Sequence, residues 1–202
     1  MNKFFFVACV LMCQACATSD PKLPILGDPV IHKNDTIYPT VASFKLWNQD
    51  SLPVTNQTFE EGIYLADFIF LSCPTICPKM TSVMQKVYLQ TLTYPHVKFL
   101  THTIDPNNDS VSRLRAYANQ LGASTSKWHF VTGPQDKILA LAEHSYFSTA
   151  YSDSTSPGGF THSGGILLVD AHRHIRGVYD GTDNTSIEKI LSDIKKLLEE
   201  TN

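Results

Sequence analysis

The runs VASFKLWNQ and LPVTNQTF flank a polar turn at Asp50 and Ser51, which predicts a hairpin opening the fold near Pro39. GIYLADFIFLS, residues 62–72, is nearly continuous in apolar character and reads as a buried central strand. After Cys77 the period changes. Met80, Val83, Met84, Val87 and Tyr88 fall on one helical stripe, with Pro78 suited to the first turn. HVKFLTHTID then predicts a second strand, Leu114, Tyr117, Ala118 and Leu121 a second helix, WHFVTG a short strand, and Ile138 to His144 a third helix. A long polar loop, YFSTAYSDSTSPGGFTHSGG, leads into ILLVDAHRHIRGVYDG, two strands around a turn. Ile187, Ile190, Leu191, Ile194, Leu197 and Leu198 share one face of a closing helix, for which Thr185 and Glu188 offer a capping box. Strands alternating with helices, then a hairpin and a helix, predict an α/β fold with a mixed central sheet flanked by helices.

The N-terminus breaks this pattern. Lys3 supplies a positive start, Phe4 to Met12 is an uninterrupted apolar run, and small or polar residues follow from Cys13. That is a signal peptide over residues 1–15, too short for a transmembrane helix. MCQACATSD sets Ala15 before Cys16, as in the bacterial lipobox, although Cys13 stands where that motif usually has an aliphatic residue. Cys16 is thus expected to be the lipidated N-terminus, and an ordinary cleaved leader is the alternative. Either way the mature chain is exported, and the first case places it on the periplasmic side of a bacterial membrane, held by a lipid anchor. Residues 16–38, polar and punctuated by proline, read as a flexible tether, and residues 39–202 as the domain.

Composition narrows the partners. The chain has 202 residues, 43% hydrophobic and 17% charged, which fits one globular domain after the leader. A net charge of −3 without a basic run gives nucleic acid no electrostatic footing. A small partner or another protein is expected.

Of the five cysteines, Cys9 and Cys13 leave with the leader and Cys16 is the acylation candidate, so only Cys73 and Cys77 remain in the folded chain. Export permits a disulfide, but a bridge over so short a loop is worth roughly 2 kcal/mol in the loop-entropy account, against about 4.7 for a 100-residue loop. A site is the better use of the pair. At a strand-to-helix junction, unpaired backbone N–H groups and the positive helix end favour thiolates. Two thiolates suit Cu(I), whereas structural zinc wants four nitrogen or sulfur ligands. A third ligand is offered by His162, on the glycine-flanked loop GGFTHSGG, which enters a predicted sheet strand; by position alone it reads first as an exposed loop histidine. Spacing leaves metal binding and a redox disulfide both open.

DFIFLSCPTICPKM, HTIDPNNDS, WHFVTG and FTHSGGILLVDAHRHIRGVYDG, in that order, resemble the Sco (SenC) family of copper-binding proteins that serve cytochrome c oxidase assembly. The resemblance runs from about Pro39 to the last helix. It implies a thioredoxin-like fold and one copper ion, as Cu(I) or Cu(II), held by Cys73, Cys77 and His162. It further implies delivery of copper to the dinuclear centre of oxidase subunit II, or reduction of that centre's cysteines, with a thioredoxin-like reductant or a copper donor as a further partner. A thiol–disulfide oxidoreductase and a redox or copper sensor are the alternatives; the C-x-x-C spacing of thioredoxins is absent, as is a proline immediately before ILLVD. Asp105 matches the family's Asp-Pro and reads as an outer support of the site or a turn former. Pro74 and Pro78 stiffen the thiol loop. His102 reads as structural, and His172 and His174 as an exposed turn or an auxiliary metal site.

Overall fold

The computed structural model describes residues 22–33, 35–153, 155 and 159–201, so the leader and Cys16 lie outside the described residues. Val30–His32 (β1) and Asp35–Ile37 (β2) form a small exposed ladder. Lys45–Asn48 (β3) and Pro53–Thr55 (β4) make the expected hairpin, whose turn is held by Asn48 Oδ1 accepting the N–H groups of Asp50 and Leu52. Ile63–Ile69 (β5), Val97–Thr103 (β6) and Trp128–Thr132 (β7) are parallel, and Cys77–Gln90 (α1) and Val111–Gln120 (α2) cross between them. Gln135–His144 (α3) precedes a short ladder of Ala150–Ser152 (β8) and Phe160–His162 (β9). Gly165–Val169 (β10), Ile175–Asp180 (β11) and Ser186–Thr201 (α4) close the chain.

The main sheet runs β11-β10-β5-β6-β7-β3-β4, with β6 at its centre and β5 beside it in the interior. All seven residues of β5 are buried because helices cover both faces, which explains its unbroken apolar run. Ile63 and Leu65 face Val83, Met84, Leu114 and Ile190 on α1, α2 and α4. Tyr64, Ala66 and Phe68 face the other way, toward Ile138 and Ala142 of α3. The predicted central strand ends at Ile69 and not Ser72, since the chain turns where Cys73 N–H bonds the Phe70 carbonyl at 3.1 Å.

Three local expectations change. Within the stretch expected as a tether, Leu23 and Leu26 pack on the core, and Leu26 N–H reaches the Ile175 carbonyl at 2.8 Å. The apolar side chains of KLPILG give this segment something to bury despite its prolines. The polar loop before β10 contains the β8–β9 ladder. The Thr185 hydroxyl, expected to cap α4, donates to Asp183 at 2.6 Å.

Gly62 marks where β5 leaves its turn. A Cβ there would stand 2.1 Å from the His96 carbonyl oxygen, which accepts the Ile63 N–H at 2.8 Å. Gly62→Ala forces this backbone apart and is expected to cost about 1–3 kcal/mol, read as a lower denaturant midpoint.

Candidate metal centre

The thiol pair sits where β5 hands over to α1. Cys77 is the first residue of α1, Pro78 follows in the first turn, and Cys73 lies in the loop before it. Both cysteines are reduced and buried. From the far side, β9 delivers His162, whose Nε2 lies 3.0 Å from Cys77 Sγ. The ligand atoms of Cys73, Cys77 and His162 all lie within 4.8 Å of one another. The three candidates of the sequence therefore meet, although 85 residues separate His162 from Cys77.

The histidine is held in the form a metal needs. Its Nδ1–H donates to the Ser163 carbonyl at 3.0 Å, so Nε2 carries the lone pair facing the thiols. Ser163 is itself fixed: its N–H bonds the Thr149 carbonyl at 2.8 Å and its hydroxyl pairs with Ser148 at 2.7 Å. Phe70 meets the His162 ring edge-on at 5.7 Å, and burial lowers the pKa of His162, which keeps the imidazole neutral.

The two thiols differ. Burial pushes the Cys73 thiol up, but the N–H groups of Cys77 and Thr75, with the Cys77 and Thr75 side chains, outweigh it, and its pKa falls below that of an ordinary cysteine. Cys77 is pushed well up, first by burial and then by the neighbouring Cys73 sulfur. Without metal, the arrangement is a Cys77 thiol donating to the neutral His162 Nε2 beside a more acidic Cys73. Two soft sulfurs and one imidazole around a common point fit a soft ion, which takes the place of the shared proton. Phe70, Cys73, Thr75, Ile76, Phe160 and His162 line a cavity of about 170 Å³ over this point, room for an ion and an incoming ligand.

Asp105 shapes the turn after β6. Its carboxylate accepts Asn108 Nδ2 at 3.1 and 2.8 Å, and its carbonyl accepts the N–H groups of Asn108 and Asp109. The carboxylate that reaches the thiol loop is Asp109, whose Oδ2 accepts the Leu71 N–H at 3.0 Å and the Thr103 hydroxyl at 2.6 Å. Sequence reading missed Asp109, whose only signal is its place in the same turn as Asp105. It also missed Asp67, a wholly buried carboxyl on β5 whose pKa burial raises to about 7 and whose Oδ1 has no hydrogen-bond partner among the described residues. His102 is buried against Phe68, their rings stacked at 4.5 Å, in keeping with a structural role.

The SCO1/SenC family model matches residues 33–199. The SCO1 protein homolog of Bacillus subtilis (strain 168) is 31% identical over 160 residues, which cover 77% of this chain and 81% of the homolog. A SCO1/SenC family lipoprotein from Bacillus anthracis superposes with a TM-score of 0.73 at 27% identity, covering 79% of this chain and 95% of that one. BsSco, described as a member of the Sco family of cytochrome c oxidase assembly proteins, gives a TM-score of 0.68 at 29% identity, covering 85% of this chain and 96% of its own. With these neighbours the mixed sheet and its four helices are the thioredoxin-like fold that the sequence led one to expect. The extent of the family match and the identity to the Bacillus homolog together show that this chain belongs to the Sco (SCO1/SenC) family.

Proposed function

We propose that this chain is a copper-binding assembly factor that carries one copper ion on Cys73, Cys77 and His162 and delivers it to the dinuclear copper centre of cytochrome c oxidase subunit II. The observation that carries this reading is the convergence of the three ligand atoms within 4.8 Å, with His162 Nε2 freed by its Nδ1 bond. Two thiolates and an imidazole match the preference of Cu(I), and three ligands under an open cavity leave a place for a recipient's ligand to enter as one of these leaves. The lipobox-like Cys16 and the relationship to a lipoprotein support an exported chain held at the membrane by its acylated N-terminus. No helix among the described residues is long and apolar enough to cross a membrane.

The test is transfer. Copper-loaded protein mixed anaerobically with the metal-free, reduced copper domain of subunit II is expected to lose its ion to the recipient, read as the copper content of each protein after the two are separated. Retention of copper by the donor in the presence of that recipient overturns delivery.

The unequal thiols favour one second reading, reduction of the recipient's cysteines. Cys73, the more acidic, attacks one sulfur of a partner disulfide, and Cys77 then displaces the partner. Two electrons pass to the partner, which leaves as a dithiol, and Cys73 and Cys77 close as a disulfide. A Cys77→Ser variant is then expected to accumulate a mixed disulfide with the recipient, and repeated failure to trap one removes this reading.

A further inference from the structure

The turn between β10 and β11 is built more tightly than an exposed turn requires. Asp170, itself buried, accepts the N–H groups of both His172 and His174 on Oδ1 at 2.9 Å. Its Oδ2 takes Arg176 Nη1 at 3.0 Å and lies 3.5 Å from His174 Nδ1. Arg173 closes the turn by donating its N–H to the Asp170 carbonyl at 2.9 Å, and does so in the left-handed region at φ +70°, a conformation that favours glycine. Its guanidinium leaves for the Val41 carbonyl at 3.3 Å, away from the two imidazoles. Those imidazoles are left beside each other, ring centroids 6.2 Å apart and planes tilted by 49°.

That spacing has a chemical meaning. An ion about 2 Å from one nitrogen of each ring separates two imidazole centroids by roughly 5–6.5 Å. With Nδ1 of His174 turned to the Asp170 carboxylate, Nε2 is the nitrogen left for a ligand, as in a carboxylate-supported metal histidine. His172 also lines a cleft of about 440 Å³ with Glu60, Glu61 and His96, and the His96 Nδ1–H donates to the Glu61 carbonyl at 2.8 Å, leaving its Nε2 free to accept. Arg176, on β11 beside the turn, is already paired with Asp170 and Glu200. Imidazoles beside carboxylates suit borderline divalent ions and not the soft ion of a thiol site. The strand register sets the two places apart: Val169 pairs with Tyr64 near the start of β5, whereas the thiols follow its end.

We propose that His172 and His174 form a second metal site, for a borderline divalent cation such as Cu(II), at the end of the sheet opposite the thiols. The proposal is independent of copper delivery through Cys73, Cys77 and His162.

The test uses the full chain carrying Cys73→Ser, Cys77→Ser and His162→Ala, titrated with Cu(II) and followed by electron paramagnetic resonance. One bound Cu(II) with nitrogen hyperfine splitting is expected, and adding His172→Ala and His174→Ala should weaken binding more than tenfold. Unchanged uptake or an unchanged spectrum in that variant overturns the site, as does absence of any bound Cu(II). Should the combined variant fail to fold, the unaltered chain gives a second reading. Cu(II) added beyond the one equivalent that the thiol site takes is expected to broaden the imidazole proton resonances of His172 and His174, and their sparing overturns the proposal.

Discussion

The variants Cys77→Ser and His162→Ala each lose more than ~100-fold in affinity for Cu(I), measured anaerobically against a competing chelator, because removal of an outer partner alone costs about 10–100-fold. Cys77 Sγ and His162 Nε2 are 3.0 Å apart, so either change removes one wall of the place the ion occupies. Serine keeps the shape of Cys77 but offers a hard, protonated oxygen to a soft ion. Alanine at position 162 also releases the Ser163 carbonyl from its bond to Nδ1, which the Ser148–Ser163 hydroxyl pair leaves otherwise in place. The fold is expected to survive both changes, since serine keeps the size of the buried Cys77 side chain and His162 lies on a ladder outside the main sheet. If His162→Ala keeps its affinity within a few fold, the imidazole is not a ligand and the three-ligand reading fails.

Acidification from pH 6.5 to about 4 weakens the fold, and His102 is the clearest cause. Wholly buried, with Nδ1–H on the Asp67 carbonyl at 3.1 Å and Nε2 without a partner among the described residues, it has a pKa lowered by burial from 6.5 to about 4. The unfolded chain takes up the proton in that interval and the folded one does not, so stability falls by about 1.4 kcal/mol per pH unit for this group. His129, lowered by burial to about 4, acts in the same direction. Asp67 opposes them: the folded state keeps its proton up to about pH 7, whereas the unfolded chain loses it near 3.8, so its contribution falls as pH rises through that range. Two histidines against one carboxyl leave these three groups with a net loss on acidification. Urea unfolding at pH 5, 6, 7 and 8 is expected to show it, and Asp67→Asn is expected to steepen the acid loss while stabilising the protein above pH 7. Equal slopes with and without Asp67 would refute this assignment.

What the sequence made legible follows from what its pattern responds to. Burial on both faces gave β5 its unbroken run, and burial on one face gave α4 the stripe from Ile187 to Leu198, so both could be read without coordinates. The thiols and His162 were legible because soft ligands are scarce residue types and their order along the chain follows a family pattern. Asp109 was not, because an aspartate in a turn looks alike whether it faces water or accepts the Leu71 N–H. The β8–β9 ladder was missed because three-residue strands in a polar loop carry too little alternation to register. The seating of Leu23 and Leu26 depends on partners such as Ile175, about 150 residues away. These features are written in tertiary contacts, which a local period does not record.

The ladder that carries His162 belongs to a two-stranded sheet separate from the seven-stranded one. Two ligands therefore ride on the junction of the main sheet with α1, and the third rides on a small ladder whose strand pairing is separate from that of the main sheet. Apparent affinity for an ion is then the intrinsic affinity multiplied by the fraction of time that ladder is closed. Any change that shifts this closure by 1.4 kcal/mol tunes retention about tenfold without altering a single donor atom. The Ser148–Ser163 pair and the Tyr151–Thr161 register hold that ladder in place, so the grip of the site depends also on residues that never touch the ion.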